Sequence, residues 1–153
     1  MPSAKPLLSL APFLALTLVG GLTIGALTAP GPWYAALDKP AFNPPGWIFA
    51  PVWTALYALI AVAGWRIWRR ARGGLAMRLW WAQLALNFLW SPVFFALHQI
   101  GAALAVVLAL LLTVLAFIAA AWRRDRMAAW LFVPYAAWVA FAALLNGAIL
   151  ALN

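Results

Sequence analysis

The sequence predicts an all-α integral membrane protein: a bundle of five transmembrane helices forming a single domain over residues 1–153. Hydrophobic residues make up 69% of the chain, charged residues make up 8%, and the mean hydropathy is +1.00. Ordinary soluble domains contain roughly 45–50% apolar and about 25% charged residues. Since a spanning helix needs about 20 apolar residues, the chain has room for about five or six spans and for no additional soluble domain.

Five apolar runs define the predicted helices. They cover residues 7–29, 47–67, 79–97, 102–122 and 127–152, and each has about the length that crosses a bilayer. The segments APGP, RRARGG, HQIG and RRDR separate them and carry turn-forming or charged residues. The first connection, residues 30–46, is the only long one, so the later helices are antiparallel neighbours. The first run is longer than a signal-peptide core and is expected to be retained as a span.

The basic residues predict how the bundle is oriented, because Lys and Arg accumulate in short cytoplasmic loops. In the five-helix arrangement Lys39 lies alone on one side. The basic residues on the other side are Lys5, Arg66, Arg69, Arg70, Arg72, Arg78, Arg123, Arg124 and Arg126. We therefore expect a cytoplasmic N-terminus, with the first loop and the C-terminus outside, and a bacterial cytoplasmic (inner) membrane as the location. This topology accounts for the net charge of +8 without nucleic-acid binding.

The composition excludes several kinds of site. The chain has no Cys, which removes disulfides, thiolate metal sites and a Cys nucleophile. Its only acidic residues, Asp38 and Asp125, lie in loops, so no span carries a carboxylate that could couple transport to protons or ions. His98 has no second ligand at a metal-binding spacing. We expect no metal site and no required cofactor.

Neutral polar and aromatic side chains within the predicted spans indicate a pocket. Helical spacing places them on three stripes, which are Phe49, Trp53 and Tyr57, then Gln83, Asn87 and Trp90, then Trp138, Ala142 and Asn146. The rise per residue puts these stripes at overlapping depths in the outer half of the membrane. If they face one another, they enclose a pocket under the first loop. The alternatives are core packing for the indoles and interhelical hydrogen bonding for Gln83 and Asn87.

Other tryptophans lie near the ends of the predicted helices. We expect these to belong to the interfacial belt, and they are Trp33, Trp47, Trp68, Trp80 and Trp122. For Trp33 and Trp47 the alternative is a place in the roof of the pocket.

Three multi-residue motifs follow one another across nearly the whole chain. They are WYAALDKPAFNPPGWIFAPVWTALY (33–57), QLALNFLWSPVFF (83–95) and FVPYAAWVAFAALLN (132–146). Together they resemble the TspO/MBR family, whose members are called tryptophan-rich sensory protein, translocator protein or peripheral-type benzodiazepine receptor. The resemblance implies five transmembrane helices, a homodimer, and a pocket under the first loop that binds porphyrins such as protoporphyrin IX. The resemblance also implies that relatives bind benzodiazepine-type drugs and cholesterol.

The resemblance also implies individual ligand contacts. The matching positions are Tyr34, Trp53, Asn87, Trp138 and Ala142. Trp53 and Trp138 match the pair that family members are proposed to use in porphyrin photochemistry. The stripes add Trp90 and Asn146 as candidate contacts, and Lys39 is the candidate partner for a ligand carboxylate, with a surface pair to Asp38 as the alternative.

One segment departs from the family pattern. The C-terminal LNGAILALN has Gly147 where the cholesterol-recognition segment of the family carries Tyr, and no basic residue follows. Sterol binding is therefore not carried over to this chain.

The sequence leaves three functions open. The favoured one is a membrane receptor, sensor or transporter-like protein that binds porphyrins and related hydrophobic ligands in an outer-leaflet pocket. The second is a light- and oxygen-dependent enzyme that degrades porphyrin, with Trp53 and Trp138 as its catalytic residues and the pigment as its substrate. The third is a structural bundle that acts through partner contacts. No conventional catalytic constellation is present, so enzymatic activity would depend on the reactivity of the bound pigment.

Overall fold

The computed structural model describes residues 5–153, and every regular element within them is helical. Residues 1–4, which the predicted domain includes, lie outside the described residues. The α-helices are α1 (Lys5–Leu8), α2 (Ala11–Leu14), α3 (Gly20–Leu27), α4 (Pro32–Ala36), α5 (Phe49–Arg70), α6 (Leu75–Ser91), α7 (Ile100–Trp122), α8 (Arg126–Leu131) and α9 (Val133–Leu152). Two π-helical segments, Ala15–Val19 and Pro92–Ala96, and a 3-10 turn, Gly46–Ile48, extend some of them. The all-α prediction is confirmed.

Four helical stretches are long and apolar enough to cross a membrane. They are Pro6–Leu27, Gly46–Arg70, Ile100–Trp122 and Arg126–Leu152. The third predicted span corresponds to α6 and the Pro92–Ala96 segment, which is helical but less apolar because it carries Gln83 and Asn87. Length and composition thus identify four spans among the described residues. The count of five and the orientation of the termini stay predictions.

The first long helical stretch, Pro6–Leu27, packs against α5 and α6 through small residues. The Thr17 hydroxyl, in the Ala15–Val19 segment, donates a hydrogen bond to the Tyr57 carbonyl oxygen at 2.9 Å. One turn further on, the ring of Tyr57 occupies the space that a Cβ atom at Gly21 would need, and the ring of Phe88 lies close to Gly20. Only residues without a side chain allow the backbone to approach these rings so closely.

Trp80 is an exception among the predicted interfacial tryptophans. Its side chain is completely buried, and its indole N–H donates to the Ile60 carbonyl oxygen at 2.9 Å. The indole lies against Gly64 of α5, where a Cβ atom would overlap the ring. The prediction for Trp80 was wrong, because a glycine on the neighbouring helix provides a notch that a single-helix pattern does not reveal.

Helix α7 packs against both α6 and α9. Its buried face includes Val107, Val114 and Phe117, and the ring of Phe117 packs on Phe132 with centroids 4.0 Å apart. The predicted helix over residues 127–152 is divided at Phe132 into α8 and α9. Pro134 lies at the start of α9, where its missing N–H costs least.

The basic end of the bundle, where α5 ends and α8 begins, is held together by Asp125. Its carboxylate caps α8 by accepting the Ala128 N–H at 3.1 Å. It also accepts hydrogen bonds from Arg66 and Arg70 of α5 at distances of 2.8 to 3.0 Å. Burial acts to raise the pKa of Asp125, but the hydrogen bonds from Arg66 and Ala128 and the two positive charges outweigh it, so the pKa lies below its usual value.

Candidate functional site

A cavity of about 590 Å³ lies between the first helical stretch, α5, α6 and α9, beneath the loop that follows α3. Its walls are mostly apolar and aromatic. The aromatic and polar residues of the lining include Tyr34, Asn43, Phe49, Trp53, Tyr57, Asn87, Trp90, Ser91, Trp138 and Asn146. The three stripes therefore face one space, except for Gln83, which lies outside the lining.

The structure brings together seven of the eight candidate site residues around this cavity. They are Tyr34, Trp53, Asn87, Trp90, Trp138, Ala142 and Asn146. Lys39 is not part of the lining. Its ammonium lies 4.5 Å from the centroid of the Tyr34 ring and donates to the Leu37 carbonyl oxygen at 3.1 Å. Within the part of the chain that the structure describes, Lys39 forms no salt bridge with Asp38.

Two of the cavity walls carry indoles that are partly exposed. On α5, Trp53 lies over Tyr57 with centroids 5.4 Å apart and an interplanar angle of 31°. On α9, Trp138 meets the edge of Phe49 at 5.9 Å and lies 5.6 Å from Phe141. These contacts restrict the rotamers of both indoles and leave part of each ring facing the cavity. Such a wall offers large, flat, rigid surfaces for an apolar guest.

A chain of buried hydrogen bonds forms the floor of the cavity. The Tyr57 hydroxyl donates to Asn87 Oδ1 at 2.9 Å, and Asn87 Nδ2 donates to the Tyr135 hydroxyl at 2.7 Å. The Tyr135 hydroxyl in turn donates to Gln83 Oε1 at 2.8 Å. Asn87 and Gln83 thus act as interhelical hydrogen-bonding residues that join α5, α6 and α9. Asn87 also faces the cavity, so the structure leaves its role as a ligand contact open.

Gln83 is the last member of this chain of hydrogen bonds. Its side chain is completely buried, and Gln83 Nε2 has no hydrogen-bond partner among the described residues. The floor is therefore polar but almost fully satisfied, as expected for groups that are surrounded by apolar helices.

A second pair of polar side chains fixes the wall nearer the loop. Trp90 Nε1 donates to Asn146 Oδ1 at 3.1 Å, and Asn146 Nδ2 donates to the Ile100 carbonyl oxygen at 3.0 Å. Both ends of the Asn146 amide are therefore engaged within the protein. Asn146 holds the indole of Trp90 in place, which makes it a positioning residue in this structure.

The loop after α3 forms the roof. Burial raises the pKa of the Tyr34 phenol above its usual value, and the hydrogen bond to Asn43 offsets part of this rise. The Tyr34 hydroxyl lies 3.4 Å from Asn43 Oδ1, and its ring meets the edge of Phe95 at 5.3 Å. The Asn153 side chain pairs with the backbone of Asp38, accepting at 3.0 Å and donating at 2.9 Å. The roof is thus fastened both to the Pro92–Ala96 segment and to the end of α9.

Several lining residues were missed as site residues by the sequence reasoning. Helical spacing placed Tyr57 on a stripe facing the pocket, but Tyr57 was not named as a ligand contact. Ser91 lies next to Trp90 and belongs to none of the three stripes. Thr28 lies at the end of α3, and its hydroxyl pairs with that of Ser91 at 2.5 Å across the cavity wall. Asn43 could have been inferred from its place before Pro44 and Pro45, a pattern that favours a fixed turn.

Comparison with known proteins decides the family. The model of the TspO/MBR family matches residues 13–152. The chain belongs to the TspO/MBR family.

Similar proteins from bacteria and mammals match over most of their length. A tryptophan-rich sensory protein from Cereibacter sphaeroides is 44% identical over 131 residues, which cover 86% of this chain and 83% of the relative. A translocator protein from Bos taurus is 40% identical over 154 residues, which cover 94% of this chain and 89% of the relative. A tryptophan-rich protein TspO from Chlorobaculum tepidum is 38% identical over 156 residues, which cover 97% of this chain and 98% of the relative.

Membership of the TspO/MBR family confirms the resemblance that the three motifs predicted. It also identifies the chain as a multi-pass integral membrane protein in contact with the lipid bilayer, in agreement with its apolar helices. All three TspO/MBR motifs contribute residues to the cavity. They correspond to the roof with the start of α5, to α6 with the Pro92–Ala96 segment, and to α9.

Proposed function

We propose that this chain is a membrane receptor, sensor or transporter-like protein that binds porphyrins of the protoporphyrin IX type, and related hydrophobic ligands, in the cavity. The observation that carries the proposal is the convergence of Trp53, Trp90 and Trp138 on one space of about 590 Å³. Ligand pockets of about 300–1,000 Å³ with apolar walls and a few placed polar groups are typical of small-molecule sites.

The chemistry of the walls fits a flat, apolar macrocycle. Its two faces would be buried against the indoles of Trp53 and Trp138, which gains stacking and apolar burial. Asn87 at the floor, or the Trp53 N–H, would orient a polar edge. The propionates would stay near water at the roof, where Lys39 can exchange its bonds to backbone carbonyls for a carboxylate. No resident cofactor is part of this proposal, and the porphyrin is the ligand or the substrate.

The placement in the membrane is also a proposal. In it, α6 is a fifth span, since Gln83 and Asn87 are buried against α5 and α9 and do not meet lipid. The Arg-rich connections face the cytoplasm, as expected from the distribution of charge. The cavity then opens in the outer leaflet of a bacterial inner membrane. A homodimer is proposed from the family alone.

A second candidate function is the light- and oxygen-dependent degradation of the bound porphyrin. The observation that favours it is that Trp53 and Trp138 both line the cavity, with Trp53 also 6.4 Å from the ring of Tyr135. Light would excite the pigment, dioxygen would be the oxidant, and the indoles would exchange electrons with the pigment. The third candidate, a structural bundle acting through partner contacts, predicts no ligand.

One experiment separates these functions. Purified protein is titrated with protoporphyrin IX while tryptophan fluorescence is followed, and the complex is then illuminated in air while the absorption spectrum is recorded. Saturable quenching without a new absorbing product supports the receptor. A product that disappears in Trp138→Phe supports the enzyme, and Trp130→Phe, at an exposed position outside the cavity, is the matched control. Absence of saturable quenching contradicts both and leaves the structural bundle.

A further inference from the structure

A second hollow lies at the basic end of the bundle, away from the cavity. It has a volume of about 190 Å³ and is lined by Arg66, Arg69, Arg70 and Asp125. Three guanidinium groups and one carboxylate meet there, where α5 ends and the α7–α8 connection begins. None of these four residues belongs to the lining of the cavity described above.

The hollow carries an excess of positive charge. Asp125 is its only acidic residue, and the one other acid of the chain, Asp38, lies in the roof loop. The Asp125 carboxylate is already saturated, because each of its oxygens accepts two hydrogen bonds. Oδ1 is bonded to Arg66 and to the Ala128 N–H, and Oδ2 is bonded to Arg66 and Arg70. Three positive charges therefore face a single negative charge whose hydrogen-bonding capacity is used up.

Several guanidinium donors remain available to an anion. Arg70 engages Asp125 through Nε, and within the described part of the chain its two terminal nitrogens donate no hydrogen bond. Arg69 forms no ion pair with a described residue and lies 4.9 Å from the centroid of the Trp65 ring. The Arg70 side chain is 54% exposed, so its free nitrogens can be reached from outside. A planar guanidinium presents paired donors that match the oxygens of a phosphate group.

The aromatic side chains around the hollow indicate the depth at which it lies. Arg72 stacks over Trp68 at 4.0 Å and Arg126 over Trp122 at 5.3 Å. Tryptophan rings at the ends of membrane helices are typical of the level of the lipid headgroups. The adjoining helix α8 exposes the large apolar side chains of Met127 and Trp130, which offer a surface for the rest of a lipid molecule.

We propose that this hollow binds the phosphate group of an anionic phospholipid, with Arg69 and Arg70 as its donors and Asp125 as the residue that positions Arg66 and Arg70. A lipid is favoured over free phosphate because the hollow adjoins exposed apolar side chains at the expected headgroup level. The proposal does not depend on the porphyrin site, which lies at the other end of the bundle.

The test uses the full chain in a neutral detergent. Binding of phosphatidylglycerol is measured by native mass spectrometry and by the rise in the unfolding temperature, with phosphatidylcholine and inorganic phosphate as the other probes. We expect phosphatidylglycerol to bind more tightly than phosphatidylcholine and inorganic phosphate to give no comparable rise. Arg69→Gln and Arg70→Gln should each weaken phosphatidylglycerol binding about fivefold, as expected for the loss of a hydrogen-bonded donor to the phosphate group.

The matched control is Arg78→Gln, which removes the same charge at the same end but lies outside the hollow. It should change phosphatidylglycerol binding less than twofold. Arg70 also pairs with Asp125, so its replacement affects the fold as well as the hollow. If Arg70→Gln reduces folding, the proposal is judged on Arg69→Gln alone. Equal effects of Arg69→Gln and Arg78→Gln, equal binding of the two lipids, or a response to free phosphate as large as that to phosphatidylglycerol would each overturn the proposal. Quenching by protoporphyrin IX should be unchanged in Arg69→Gln.

Discussion

At the scale of single residues, the packing of the helices depends on glycines, whose missing side chain lets an aromatic ring of a neighbouring helix approach the backbone. Gly21 and Gly64 each face an aromatic ring on a neighbouring helix, Tyr57 and Trp80 respectively. The segment GGLTIG (20–25) has the small residues of a close-packing surface, but only Gly20 and Gly21 lie close to rings, and Gly25 faces open space. Spacing along one helix identifies a small-residue surface and cannot show which of its positions is occupied by a neighbour.

Replacing Gly21 by Ala should lower the free energy of unfolding by about 1–3 kcal/mol, because the new methyl group overlaps the Tyr57 ring. The matched control is Gly25→Ala, where nothing lies near the new atom. It should be neutral or stabilising by up to about 1 kcal/mol, since Ala is the better helix former. Thermal unfolding in detergent measures both variants, and equal destabilisation by the two would contradict the packing assigned to Gly21.

Asp125 predicts a dependence of stability on pH. The folded protein lowers the pKa of this carboxyl, so its contribution is fully present above the unfolded pKa of about 3.9 and is lost as the pH falls through the folded value. Asp125→Asn keeps a residue that can cap α8 but removes the charge opposite Arg66 and Arg70. It should cost about 2 kcal/mol at pH 7.

The measurement for Asp125 is the unfolding temperature between pH 7 and pH 3. The unfolding temperature of the wild type should be constant from pH 7 to about pH 5 and then fall. The unfolding temperature of Asp125→Asn should be lower at pH 7 and should change less with pH. Asp38→Asn, at an exposed position in the roof loop, should follow the wild-type profile. If the unfolding temperature of Asp125→Asn follows the same pH profile as that of the wild type, this carboxyl does not stabilise the fold.

At the scale of the elements, the helices coincide with the apolar runs of the sequence. Their interruptions lie near residues that break the regular backbone hydrogen bonding. Pro92 begins the second π-helical segment, where the Leu97 N–H bonds to the Pro92 carbonyl oxygen at 2.9 Å. Pro lacks an N–H, so the regular ladder is broken there. The division of the last run at Phe132 was not anticipated, although Pro134 marked it. Prolines in the sequence predict that a helix is disturbed, but the packing of the neighbours decides where.

The hydrogen-bonded floor makes a prediction about helix association. Tyr135→Phe removes a hydroxyl that both accepts from Asn87 and donates to Gln83, leaving two buried groups unpaired. It should lower the free energy of unfolding by about 1–3 kcal/mol. Tyr57→Phe breaks a single bond, to Asn87, and should cost less.

The control for the floor is Tyr34→Phe, whose hydroxyl lies at the long distance of 3.4 Å from Asn43 in the partly exposed roof. It should leave the unfolding temperature nearly unchanged. If Tyr135→Phe is as stable as Tyr34→Phe, the floor network does not hold α6 and α9 together.

At the scale of the whole molecule, the sequence predicted the all-α membrane bundle and the aromatic and polar stripes that line part of the cavity. The polar and aromatic stripes containing Trp53, Asn87 and Trp138 could be found because a polar or bulky residue within an apolar helix stands out against its surroundings. The arrangement at the basic end was not predicted. Arg66 and Asp125 are far apart in the sequence, and their pairing arises only when α5 and α8 pack together.

The same limit applies to Lys39 and Asn146. Lys39 was expected as a ligand partner because it is the sole basic residue in the first loop, and that role stays a prediction. Its contacts with the Tyr34 ring and with backbone carbonyls could not be read from the sequence. Asn146 was proposed as a ligand contact, but its amide is bonded to Trp90 and Ile100. Position along a helix predicts which space a side chain approaches, whereas its hydrogen-bond partners depend on the assembled fold.

The most direct test of the central claim, that this cavity is a binding site, is to fill it. Ala142→Phe places a ring in the cavity, whereas Ala140→Phe places the same ring on an exposed face of α9 outside the lining. The affinity for protoporphyrin IX, measured by tryptophan quenching, should fall at least about tenfold in Ala142→Phe, as expected when the guest and the new ring compete for one space. It should stay at the wild-type value in Ala140→Phe. Wild-type affinity in a folded Ala142→Phe variant would contradict the account.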